Sequence, residues 1–186
     1  MQMSSVKKRK KLSVKVQMLA TFAAIVAAVA LPQIFHVMGS VSGIGTALGE
    51  TFLPMHLPII LVGLLAGRYA GAVAGFIAPL VSFALTGMPK AAMLPFVVIE
   101  LCVYGLCAGV LRDVKMSTFF KVVITQFVGR GVRAVAILIA TYVFSSSAVP
   151  VSVIWNSIVV GLFGLVLQWA LIPLVVYRVE NLKNNE

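Results

Sequence analysis

The sequence is short of charge, of acid and of the residues that perform catalysis. Only 11% of its 186 residues are charged, with 5 Asp and Glu against 15 Lys and Arg. With 61% hydrophobic residues, that composition excludes an ordinary soluble domain. There are 2 Cys and 2 His. Cys102 and Cys107 lie in one apolar run, too few for a disulfide framework and without metal-ligand spacing, so they read as packing residues. No metal and no cofactor is expected. No G-x-x-x-x-G-K-[ST] occurs, so the chain has no P-loop for ATP. No H-E-x-x-H zinc motif and no G-x-S-x-G nucleophile elbow occurs either. The sequence predicts a protein that is not an enzyme.

What fills the chain instead is apolar. Mean hydropathy is +1.07. A helix needs about 20 apolar residues to cross the hydrocarbon, so the chain has room for about six spans. They are expected over residues 12–32, 51–67, 70–85, 91–111, 117–144 and 151–176. The class predicted is therefore all-α, an integral membrane protein of six transmembrane helices forming one domain over residues 1–186. The apolar run after the first basic cluster is too long for a signal peptide and reads as a retained first span. Residues 33–50, with four glycines, read as a long polar loop.

The basic residues give the orientation. Lys7, Lys8, Arg9, Lys10, Lys11 and Lys15 open the chain, and alternate gaps carry most of the rest. With the N-terminus inside, 12 basic residues fall on cytoplasmic segments and Lys90 alone falls outside. The positive-inside rule then predicts that both termini are cytoplasmic: a basic segment at 1–11 and a tail at 178–186. The loop at 33–50 falls on the external side. The net charge of +10 is loop charge beside anionic lipid headgroups, not a nucleic-acid footprint.

Three charges break the apolar runs. Glu100 lies halfway along the fourth span; Arg130 and Arg133 lie halfway along the fifth, on one helical face. Lone charges in hydrocarbon cost several kcal/mol, so these groups are expected to face the bundle interior and pair. One reading is a structural ion pair that locks the two helices. The other gives the remaining arginine to a polar or anionic ligand group. A second polar set lies nearer the external face: Glu50, His56, Trp155 and Asn156, with Tyr142. Trp155 beside Asn156 reads either as interfacial belt chemistry or as a ring-stacking and hydrogen-bonding pair for an aromatic ligand. Gln126, Gln168 and Tyr104 are further interior polar groups. His36 and His56 lie close to the outer boundary, which disfavours an intramembrane hydrolase.

The first span carries overlapping A-x-x-x-A pairs, Ala20 with Ala24, Ala23 with Ala27, and Ala24 with Ala28. Small residues at this spacing let another helix approach closely, within the chain or from a partner. Gly71 and Gly75 repeat the spacing in the third span.

The whole chain resembles the substrate-binding S components of energy-coupling factor (ECF) transporters. The resemblance lies in the six-helix plan, the basic N-terminus, the alanine-rich first helix and the long first loop. It is most specific at residues 48–63 (LGETFLPMHLPIILVG) and 78–89 (APLVSFALTGMP), which resemble the branch for hydroxymethylpyrimidine or vitamin B6. The resemblance implies capture of a vitamin or its precursor from outside, in the cell membrane of a bacterium. It implies docking on a membrane T component through Ala20, Ala23, Ala24, Ala27 and Ala28, with two cytoplasmic ATPase subunits driving the assembly. It places the ligand near the external face, with Glu50, His56, Glu100, Arg130, Arg133, Tyr142, Trp155 and Asn156 as its regional candidates. Cobalamin and pantothenate are the alternative ligands. A cell-shape type membrane assembly protein is the alternative from another class, and would need no interior ligand site.

Overall fold

The helices begin and end where apolar runs meet caps, prolines and glycines. The computed structural model describes residues 12–43, 45, 47–145 and 148–184, the side chains of residues 47, 48, 50, 183 and 184 excepted. Among them are eight helices and no strand: α1 (Val14–Val41), α2 (Ala47–Phe52), α3 (His56–Ala66), α4 (Arg68–Thr86), α5 (Leu94–Leu111), α6 (Thr118–Tyr142), α7 (Ser152–Val160) and α8 (Leu162–Asn184). The expected cytoplasmic segment at 1–11 lies outside the described residues, as do the last two of the tail.

Five helices are long and apolar enough to cross a membrane: α1, α4, α5, α6 and α8. The expected second span is different. It divides into α2 and the 11-residue α3, because Pro54 follows Leu53, whose φ of 49° no helix continues. α3 rises about 16 Å against a hydrocarbon core of about 30 Å. Of its residues, 8 are buried, including Ile59, Ile60 and Leu64. α3 is thus a short enclosed helix, and among the described residues five helices, not six, are long enough to span.

The first loop also differs. α1 continues through Pro32 to Val41, and α2 starts at Ala47, so residues 33–41 are helical. A proline is tolerated inside a membrane helix where neighbours compensate the lost hydrogen bond, and Pro32 is buried. At the other end of the chain, the expected sixth span breaks at Gly161 into α7 and α8. A Cβ on Gly161 would crowd Leu53 and the Arg130 guanidinium, and one on Gly164 would overlap the backbone of Thr51 and Phe52. Glycine here lets the end of α2 press against the start of α8.

Small residues set the core. A Cβ on Gly71 or on Gly105 would overlap the other's backbone, so α4 and α5 are in near backbone contact. Gly71 and Gly75 are therefore internal packing. Ala24 and Ala28, at 7% and 0% exposure, are buried in the same core, where α1 lies on α3 and α4. The outward surface is apolar, with Leu19, Phe22, Val73, Phe76, Val135 and Leu174 exposed, as suits contact with lipid.

Candidate ligand-binding site

Glu100 is the centre of the polar interior. It sits on α5, fully buried. Tyr104, one turn on, donates its hydroxyl to Glu100 Oε1 at 2.8 Å. Arg133 Nη1 donates to Glu100 Oε2 at 2.8 Å. His56 Nε2 stands 3.9 Å from Glu100 Oε1. The approach depends on Gly129, where a Cβ would overlap the Tyr104 ring. With hydrogen there, α6 lies against that ring and brings Arg133, one turn further, level with Glu100. The Glu100–Arg133 pair is one of those expected from the sequence.

His56 opens α3. Its Nδ1 is 3.2 Å from the Leu53 carbonyl, which only accepts, so Nδ1 carries a proton. Its ring packs on Tyr104 with centroids 5.3 Å apart. His56, Tyr104, Glu100 and Arg133 thus form one network that joins α3, α5 and α6.

Arg130 does not share the carboxylate. Its Nη1 donates to the Ser157 carbonyl of α7 at 3.0 Å, and its Nε is buried with no hydrogen-bond partner. No described carboxylate lies within ion-pair distance of it. Arg130 and Arg133 line a partly open cavity of about 350 Å³ between α6, α7 and α8. Most of its wall is apolar, built by Ile137, Ile154, Ile158, Leu162 and Leu165, with Phe127 and Trp169 adding aromatic surface. Gln126 and Ser157 are the other polar side chains of the wall. The cavity is thus a greasy chamber with two guanidinium groups, one of them not neutralised by a described acid. That suits a small flat apolar body carrying an acceptor or anionic substituent.

A hydrogen-bonded relay backs this wall. Trp169 Nε1 donates to Gln126 Oε1 at 2.5 Å. Gln126 Nε2 donates to Gln168 Oε1 at 2.9 Å. Gln168 Nε2 donates to the Leu53 carbonyl at 3.1 Å, the same carbonyl that faces His56.

The outer set of expected residues divides. His56 joins the network. Glu50 falls on α2, and its side chain lies outside the described residues. Trp155, Tyr142 and Asn156 point away from the chamber; the first two are 69% and 74% exposed. The cause is helical phase. α7 turns Ile154, Ser157 and Ile158 inward, at i, i+3 and i+4, so residues 155 and 156 face out. α6 turns Gln126, Arg130, Arg133 and Ile137 inward, and Tyr142 lies off that face. The aromatic ring at the chamber is Trp169 instead. Trp169 and Ser157 were not among the expected residues; the α6 phase at 126, 130, 133 and 137 is the signal that singles out Gln126.

The alanine face divides as well. Ala24 and Ala28 are used within the chain, whereas Ala23 is exposed and Ala20 and Ala27 are half-buried.

A bundle of apolar helices with a largely apolar chamber that carries two guanidinium groups suits a membrane-embedded solute-binding subunit. The chain matches the family described as ECF transporter, substrate-specific component, over residues 7–176. It belongs to that family, and is the membrane S subunit of an ECF-type importer. No curated protein and no solved structure matches it.

Proposed function

We propose that this subunit captures a small water-soluble vitamin or precursor at high affinity from the external side of a bacterial plasma membrane. Hydroxymethylpyrimidine is the first candidate and pyridoxine the second. The observation that supports this is the chamber of about 350 Å³ with Arg130 and Arg133 set in an apolar and aromatic wall. A substituted pyrimidine or pyridine fits such a volume, with its ring among Ile137, Leu165 and Trp169 and its hydroxyl oxygens toward the guanidinium groups. Pantothenate, with a carboxylate for Arg130, is the alternative. A corrinoid is far larger than the chamber, which counts against cobalamin.

On this reading Glu100 orients Arg133 and does not touch the ligand. The subunit works with a membrane T component and two cytoplasmic ATPases. Its docking face is the exposed part of the alanine stripe, centred on Ala23 and Ala27. Isothermal titration of the detergent-purified chain with hydroxymethylpyrimidine, pyridoxine, pantothenate and cobalamin tests the reading. Saturable binding of one of the first two is expected. Binding of cobalamin alone, or of none, would refute it.

A further inference from the structure

We propose that Gln126 selects the ligand, and that it selects a flat ring bearing a hydrogen-bond donor beside an acceptor, as on an aminopyrimidine edge. The proposal rests on the chamber being the ligand site.

Gln126 is 2% exposed and belongs to the chamber wall, one turn before Arg130. Its amide cannot turn over freely. The Leu53 carbonyl only accepts, so the Gln168 atom 3.1 Å from it is the amide nitrogen. That leaves the Gln168 oxygen to accept from Gln126. At the other end the Trp169 indole only donates, so it meets the Gln126 oxygen. A backbone acceptor and an indole donor fix the orientation of both carboxamides.

A carboxamide has two N–H groups and an oxygen with two lone pairs. The relay uses one of each on Gln126. One donor and one acceptor remain, on a side chain that lines the chamber. A carboxamide whose free N–H and free lone pair share one edge pairs with an amino group beside a ring nitrogen, the way Gln and Asn read adenine, and that edge of Gln126 is assigned here to the ligand. The other polar groups of the wall differ in kind. Arg130 and Arg133 only donate, and the Ser157 hydroxyl donates to the Ile154 carbonyl at 3.0 Å. The arginines therefore take an acceptor substituent, while Gln126 decides which ring edge is admitted. A ring edge without a donor leaves the second lone pair of Gln126 unmet in a dry wall, and sites built on hydrogen bonds reject such analogues strongly. Gln168 is not part of the wall. It acts through Gln126, as a positioning residue.

The test is titration of the purified full chain with three probes: 4-amino-5-hydroxymethyl-2-methylpyrimidine, its analogue with hydrogen replacing the amino group, and pyridoxine. The aminopyrimidine is expected to bind about tenfold or more tighter than the analogue. Gln126→Met should bring that ratio close to one, and so should Gln168→Met combined with Trp169→Phe, which removes both anchors and frees Gln126 to turn. The ratio is read on whichever variants still melt cooperatively, and a purely structural role would leave it unchanged. Equal affinity for the two pyrimidines in the wild type, or a folded variant that keeps the ratio, overturns the proposal. In that case the chamber still stands as the site if Ala134→Phe abolishes binding. No binding of any probe overturns both.

Discussion

Glu100 receives a hydroxyl on one oxygen and a guanidinium on the other, with an imidazole 3.9 Å away. Each oxygen thus has a protein donor, and the pair with Arg133 ties α5 to α6. Removing one partner of a buried pair strands the other charge, at a cost of about 3–5 kcal/mol. Glu100→Gln should therefore lower the melting temperature in detergent sharply. Glu100→Gln with Arg133→Met removes both charges and should recover most of that loss. No recovery in the double variant would show that the pair is not the unit of stability. Arg130→Met has a different signature. It breaks one hydrogen bond to Ser157 and should cost only about 1–2 kcal/mol of stability. Its main effect should be on the affinity for hydroxymethylpyrimidine or pyridoxine, and unchanged affinity would remove Arg130 from the site. Glu100, Arg130 and Arg133 were legible in the sequence because charge inside an apolar run has few explanations. The outward direction of Trp155 and Asn156 was not legible, because it depends on the phase of the nine-residue α7.

Among the elements, α1 divides its alanines between two tasks. Ala28 is fully buried, so Ala28→Leu forces extra volume into a close-packed core and should cost about 1–3 kcal/mol. Ala23 is exposed, so Ala23→Leu should leave the melting temperature and ligand binding unchanged. On the proposed docking face it should nevertheless reduce co-purification with the T component and uptake by cells. Full uptake by that variant would move the docking face elsewhere. The A-x-x-x-A spacing marked α1 as a close-packing helix, but spacing alone does not say which edge of a stripe faces in. α3 was hidden for a related reason. Residues 51–67 are mostly apolar, and hydropathy does not distinguish a helix that crosses lipid from one enclosed by other helices. Only Pro54 and Pro58 hinted that it would be short.

At the scale of the whole molecule, the distribution of basic residues predicts the orientation of the bundle, and that orientation can be tested by labelling. In a background without Cys102 and Cys107, a cysteine at Ser42 should label from outside intact cells, and one at Ser5 should not. The reverse would invert the topology. The class of protein was legible from hydropathy and charge together, since few other chains combine long apolar runs with basic alternate loops. The chamber was not, because it depends on which faces the successive helices α6, α7 and α8 turn together, and the break at Gly161 that lets α7 cover it falls inside one apolar run. The central claim is that the ligand lies in this chamber, and Ala134 in its wall offers the most direct test. Titration of hydroxymethylpyrimidine into wild-type protein and into Ala134→Phe, with melting curves confirming that both are folded, isolates the chamber by filling it. The account predicts saturable binding by the wild type and none by the folded variant. Undiminished affinity in folded Ala134→Phe would contradict it.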